Sequence, residues 1–208
     1  MQFSWHGLAC IRLQTKETTI LADPFGPNLG LSAPRIQADI LLFADSANPQ
    51  REQAMKGHGF IIHGPGEYEV GGVHIVGLGL EQEAGKEKEL HTVYVVSAEG
   101  LTVGFLGGLR RPMTEQELDE IQDIDVLFVP VGGKTVVNAE QALEMVSEVE
   151  PRVVVPYYFR TPGLKTALEP VDAFTKQVGK KDIVAEEKFK ITKKELPESD
   201  MQVVVLKP

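Results

Sequence analysis

The order of elements along this 208-residue chain predicts an α/β protein, its layers packed around one core. Two observations lead there. The first half is a run of short apolar stretches rich in Val, Ile and aromatics, each ended by Gly, Pro or Asp, the residues that supply turn dihedrals. The second half alternates apolar strand patterns with segments of helical periodicity. No shift in composition marks a linker, so residues 1–208 are expected to form a single domain.

Taken in order, the strand candidates of the first half are FSWHGLACIRLQ, TTILADPF, ADILLFA, GFIIHG, GGVHIVGLG, HTVYVVSAEG and LTVGFLGG. SAEGLT reads as a tight hairpin turn between the last two. EQEAGKEKEL, residues 81–90, is dense in charge and has no apolar period, so it is expected to be a solvated excursion. Thr114 and Glu117 have the spacing of a capping box, which opens a helix through about Gln122. DIDVLFVPVGG follows as a strand buried on both faces. Asn138 and Gln141 repeat the cap, and Ala139, Ala142, Leu143, Val146 and Val149 share one face of the next helix. RVVVPYYF is again a buried strand. Val171, Phe174 and Val178 mark a third helix stopped by Gly179, and EKFKITKKEL and MQVVVLK return to strands.

Bulk properties exclude several classes of partner. A formal charge of -9 disfavours nucleic acid and anionic membrane, both of which need a basic face. Cys10 is the only cysteine, which rules out an intrachain disulfide or a cysteine-rich metal site. The start lacks a basic region followed by an apolar one, so a cytoplasmic location is expected. The longest apolar runs fall well short of the ~20 residues a membrane helix needs.

The strand ends carry a resemblance. WHGLACIRL as an opening hairpin, ILADPF, ADILLFA, GPGEYEVGGVHI, DIDVLFVPVGG, NAEQALEMVSEVEPRVVVPYYF and LEPVDAFTKQVG stand in the order and spacing of the metallo-β-lactamase superfamily, and the chain resembles its stand-alone Zn-dependent hydrolase-like branch. The resemblance implies a four-layer αββα sandwich, two sheets face to face with helices outside. The family follows the strand that matches ADILLFA with H-x-H-x-D-H, and those ligand positions fall here on Asp45, Ala47, Pro49 and Gln50. The remaining ligand positions fall on Phe105, Gly108 and Tyr158, and the histidine that often follows W-x-G is Leu8. Zinc needs about three or more N, S or O donors to lower the pKa of bound water to ~7. Ala, Gly and Phe donate nothing, so the motif reading implies no cofactor, with Zn in a rebuilt site as the alternative.

Other candidates weigh less. His6, His58, His63, His74 and His91 are scattered without metal-ligand spacing and read as satisfied strand-end or surface residues. Glu67 and Glu69 alternate along a strand and share a face, as paired carboxylates would, but the family gives that segment no metal duty. In GGLRRPMT, Arg110 and Arg111 precede a capped helix and could replace the charge of a metal with their own. Asp23 closes a strand and, by the resemblance, orders the neighbouring metal loop. Tyr157, Tyr158 and Phe159 are expected to fill the pocket floor. The lone G-x-G of HIVGLGL is no dinucleotide site.

The functional expectation is a metal-free pseudoenzyme that binds a small anionic ligand or a protein partner. The alternatives are a metal-dependent hydrolase with a rearranged site and a structural subunit of a homo-oligomer. Asp23, Asp45, Arg110, Arg111 and Tyr158 are the residues expected around the remnant pocket.

Overall fold

The computed structural model describes residues 1–26, 29–45, 59–180 and 183–208. The ligand positions Ala47, Pro49 and Gln50, the short helix expected in PQREQAMKG, and His58 lie outside the described residues.

Two mixed β-sheets pack face to face. The first contains β1 (Gln2–Trp5), β2 (Ile11–Gln14), β3 (Thr19–Ala22), β4 (Ile40–Phe43), β5 (Phe60–His63) and β12 (Phe189–Lys190), in the order β12-β1-β2-β3-β4-β5. The second contains β6 (Gly66–Val70), β7 (Val73–Ala84), β8 (Glu87–Ala98), β9 (Leu101–Phe105), β10 (Val126–Pro130), β11 (Val153–Tyr157) and β13 (Gln202–Val203), in the order β13-β11-β10-β9-β8-β7-β6. Strands β3, β4 and β5 run parallel in the first sheet, as do β9, β10, β11 and β13 in the second.

Strand β4 shows how the sequence makes a middle layer. Because side chains alternate across a strand, Ile40 and Leu42 join the core between the sheets, while Leu41 and Phe43 join a smaller cluster with Cys10, Leu21, Phe25 and Ala38. Both faces are therefore apolar, which is why the strand has no polar period. Cys10 is fully buried in that second cluster, as a small hydrophobe. Phe3 of the first sheet meets Phe128 of the second with ring centroids 5.3 Å apart, closing the core between them.

Among the described residues the α-helices are α1 (Glu115–Asp119), α2 (Ala139–Val149) and α3 (Asp172–Gln177). Both expected capping boxes are formed, Thr114 with Glu117 and Asn138 with Gln141. Helix α1 stops three residues short of Gln122, and none of its residues is buried, so packing does not extend it. Helix α2 buries Ala139, Ala142, Met145 and Val146 and packs on β10 and α3. No helix among the described residues is long and apolar enough to cross a membrane.

One segment differs from expectation. Residues 81–90 are no excursion, because β7 and β8 run as paired strands up to a turn at Gly85 and Lys86. Cross-strand pairing replaces the missing apolar period: Lys88 Nζ lies 2.9 Å from Glu81, and Gln82 turns inward, 2% exposed, to accept the Arg110 backbone N–H. The SAEGLT turn forms as expected, with Glu99 and Gly100 both at positive φ, 52° and 76°, which suits a two-residue hairpin.

Candidate active site

In α/β sheets, loops at the carboxyl ends of parallel strands gather where helices and neighbouring strands leave space for a ligand. The ends of β3, β4, β9 and β11, with the β1–β2 turn, converge here on a cavity of about 100 Å³. Leu8, Ala9 and Phe25 give it apolar walls, and Asp23, Asp45, Arg110, Thr135 and Tyr158 give it polar ones. Four of the five residues expected at the pocket are thus brought together. Arg111 is placed elsewhere, in a separate hollow with Glu81, Lys88 and Glu117.

The backbone of this cavity is unusual. Leu8, Asp23 and Tyr158 sit at φ of 50°, 42° and 56°, in the left-handed region that costs an L-residue ~1–2 kcal/mol. Bulky side chains in that region cluster at functional sites, where the surrounding structure holds them. Three separate segments each turn a side chain toward one space by this means.

Asp23 ties its own strand to the next, while the metal loop that the resemblance has it order lies outside the described residues. Its Oδ1 accepts the Ala44 N–H at 2.8 Å, and its own N–H donates to Leu42 O at 2.8 Å, so the exits of β3 and β4 are joined. The residue is 8% exposed. Asp23→Ala orphans a buried N–H and puts alanine at positive φ. We expect urea unfolding to show a loss of about 1–3 kcal/mol.

Asp45 continues β4 and forms a bridge with His91 of β8. The His91 side chain is fully buried; its Nδ1 lies 3.0 Å from Asp45 Oδ1 and its Nε2 lies 2.8 Å from Leu106 O. Beside it the Ala44 carbonyl accepts the Thr92 N–H at 2.6 Å. Tyr94, two residues on, donates its hydroxyl to Phe43 O at 2.9 Å and accepts the Gly64 N–H at 3.1 Å. Burial and the Asp23 charge push the Tyr94 phenol far above its ordinary value, so it stays a donor.

The arginines are engaged by neighbours. Arg110 Nη1 pairs with Glu89 at 2.6 Å and donates to Glu83 O at 3.0 Å. Arg111 forms a two-pronged pair with Glu117 at 2.7 and 2.6 Å and donates to Glu81 O. That hydrogen bond raises the pKa of Arg111 and lowers that of Glu117. The aromatic run divides its work. Tyr157 and Phe159 are core residues, Tyr157 donating to Gly107 O at 2.6 Å and Phe159 packing on Trp5 at 4.5 Å, whereas Tyr158 is half-buried and lines the cavity.

Two features of the site escaped the sequence reading. By spacing His91 is one of the scattered histidines, although it opens the apolar run HTVYVV, where a buried imidazole must find partners. Gly107 was read only as part of a strand end. Its φ is 59°, and a Cβ there would lie 2.5 Å from Ala44 Cβ and 2.8 Å from His91 Cε1.

A metal ion requires about three or more donor atoms converging on one point. Among the described residues no three His, Cys, Asp or Glu side chains group as metal ligands. The cavity presents two carboxylates, both ring nitrogens of His91 face other acceptors, and Phe105 is stacked on Phe128 at 5.1 Å. The described side chains alone do not fit a metal centre.

Comparison with known proteins places this geometry. The family profile described as "Beta-lactamase superfamily domain" matches residues 2–158. A solved structure from Thermotoga maritima, named as a Zn-dependent hydrolase of the metallo-β-lactamase superfamily, is 32% identical with a TM-score of 0.82, covering 99% of this chain and 97% of its own. A metallo hydrolase from Ignicoccus hospitalis shares the fold at 17% identity and a TM-score of 0.67, covering 92% of this chain and 99% of its own. A relative from Geobacillus thermodenitrificans, named metal-dependent hydrolase, is 24% identical over 82% of this chain and 97% of its own length.

These names correct the expectation of no cofactor, since relatives along most of the chain are called metal-dependent. The physical reason is that a motif laid on one chain shows which ligand positions changed. It does not show that no other donors bind an ion. Strand order, the convergence of strand ends on one cavity and the match over residues 2–158 agree, and the chain belongs to the metallo-β-lactamase superfamily.

Proposed function

We propose that the chain is a hydrolase of phosphoester, lactone or amide bonds, metal-dependent as its relatives are named, with a rearranged site. We place the reaction at the cavity of Asp23, Asp45 and Tyr158 and take residues 1–208 as one cytoplasmic domain. The observation that carries this reading is the convergence there of two carboxylates, a phenol and three left-handed residues, Asp23 and Tyr158 at the ends of parallel strands and Leu8 in the β1–β2 turn. Such strain is retained where the site needs it. No donor set is assigned to a metal, and no step is drawn through one.

The test is metal analysis of protein purified without chelator, with hydrolysis assays before and after chelation. Stoichiometric Zn, Mn or Fe and chelator-sensitive turnover are expected. Sub-stoichiometric metal together with no turnover would sink the reading.

A second reading, binding of a small anion without turnover, draws on Arg110 at the cavity wall. Calorimetry with inorganic phosphate compares wild type with Arg110→Ala. Equal heats in the two proteins would remove it.

A further inference from the structure

His91 and Asp45 form a pair whose hydrogen bonds do not balance without an additional proton. Leu106 O only accepts, so the 2.8 Å contact requires a hydrogen on Nε2. Nδ1 then faces Asp45 Oδ1 at 3.0 Å. A neutral imidazole with hydrogen on Nε2 presents a lone pair at Nδ1, and an ionised carboxylate presents only lone pairs. The contact is a hydrogen bond only if one proton lies between them, on Nδ1 or on the carboxyl oxygen. Burial sharpens the point: His91 has no exposed side-chain surface, and an unsatisfied polar contact there has no water to repair it.

The pair has one open side. The Asp45 side chain is 35% exposed and lines the 100 Å³ cavity, while His91 is sealed behind it by Ala44 and Gly107. We propose that Asp45 and His91 hold a single shared proton and that Asp45 delivers it, as general acid, to the leaving group of a substrate in the cavity. Asp45 is the catalytic residue and His91 its positioning residue. The proposal rests on the hydrolase reading above. As water attacks, a bond forms from its oxygen to the acyl or phosphoryl centre and the bond to the leaving group breaks. The departing oxygen or nitrogen takes the pair's proton together with the bonding electrons. The proton lost by the attacking water restores the pair.

The first arm of the test needs no substrate. In wild-type protein at neutral pH, nitrogen NMR of the His91 ring and carbon NMR of the Asp45 carboxyl should locate one proton, on Nδ1 or on the carboxyl. In Asp45→Asn, whose amide can donate to Nδ1, the ring should be neutral with hydrogen on Nε2. A neutral ring facing an ionised Asp45 in the wild type overturns the proposal.

The second arm compares phenyl with p-nitrophenyl acetates and the matching phosphodiesters. Loss of a general acid costs ~10²- to 10⁴-fold, and costs most where the leaving group is poor. Asp45→Asn should therefore lose far more on the phenyl esters than on the p-nitrophenyl esters, and His91→Gln should show the same pattern with a smaller drop. Equal losses on both classes would overturn the general-acid role. Hydrolysis by wild type with a bare Nδ1 sinks this proposal and leaves the hydrolase reading standing. No hydrolysis of any of the four esters by wild type overturns the acid step on esters, and sub-stoichiometric metal with no turnover of lactones or amides sinks that reading as well.

Discussion

Gly107→Ala is expected to lower stability by about 2–5 kcal/mol, a sum of overpacking and left-handed strain. The added Cβ would meet Ala44 Cβ at 2.5 Å and His91 Cε1 and Nε2 at 2.8 and 3.0 Å. None of these is the far end of a flexible side chain. Ala44 is held through its N–H by Asp23 and through its carbonyl by Thr92, and the imidazole is held at both nitrogens. The backbone cannot relax by leaving φ of 59° without moving the carbonyl that accepts the Tyr157 hydroxyl. Denaturant unfolding reads the loss directly. A midpoint within experimental error of wild type would mean that the β9 exit is more plastic than its contacts indicate.

The second large effect is alkaline destabilisation. Burial pushes the Tyr157 and Tyr94 phenols well above their ordinary value, with the Asp23 charge adding to both. A phenol whose pKa is raised by folding keeps its proton in the native state while the unfolded chain loses it. Its contribution is therefore complete below pH ~10, the unfolded value, and is lost as pH rises toward the folded value. Each phenol removes about half of 1.4 kcal/mol per pH unit at pH ~10, rising to the full value above it, so the pair should cost about 2 kcal/mol between pH ~10 and ~11. Urea unfolding across that interval measures the slope. Tyr157→Phe and Tyr94→Phe should each lose stability at neutral pH and each flatten the alkaline decline; an unchanged slope in both would place the titration elsewhere.

Local chemistry was legible in the sequence. The capping boxes at Thr114 and Asn138 depend on residues three apart, and the two-faced burial of Ile40–Phe43 follows from a run with no polar member. The charged hairpin at residues 81–90 was not legible, because its support is the register that sets Glu83 opposite Lys88 and Gln82 opposite Glu89. Asp23, Asp45 and Tyr158 reached the candidate site through family resemblance, each being a strand-end position. His91 did not, since its meaning lies in a partner 46 residues away on the opposite sheet. The absent histidine motif was visible at once, but absence of one donor pattern was too weak a ground for expecting no metal.

The Tyr94 hydroxyl has a wider consequence. One oxygen holds both Phe43 and Gly64, the residues at which β4 leaves the first sheet and β5 has just ended. The span between them includes the positions where the family keeps its histidine motif. With the exits of β4 and β5 tied to one atom of β8, the connection between the two strands can be lengthened at little cost to the sheets, because closure entropy grows only slowly with loop length. A chain built this way can take on new chemistry between β4 and β5 while keeping its scaffold whole.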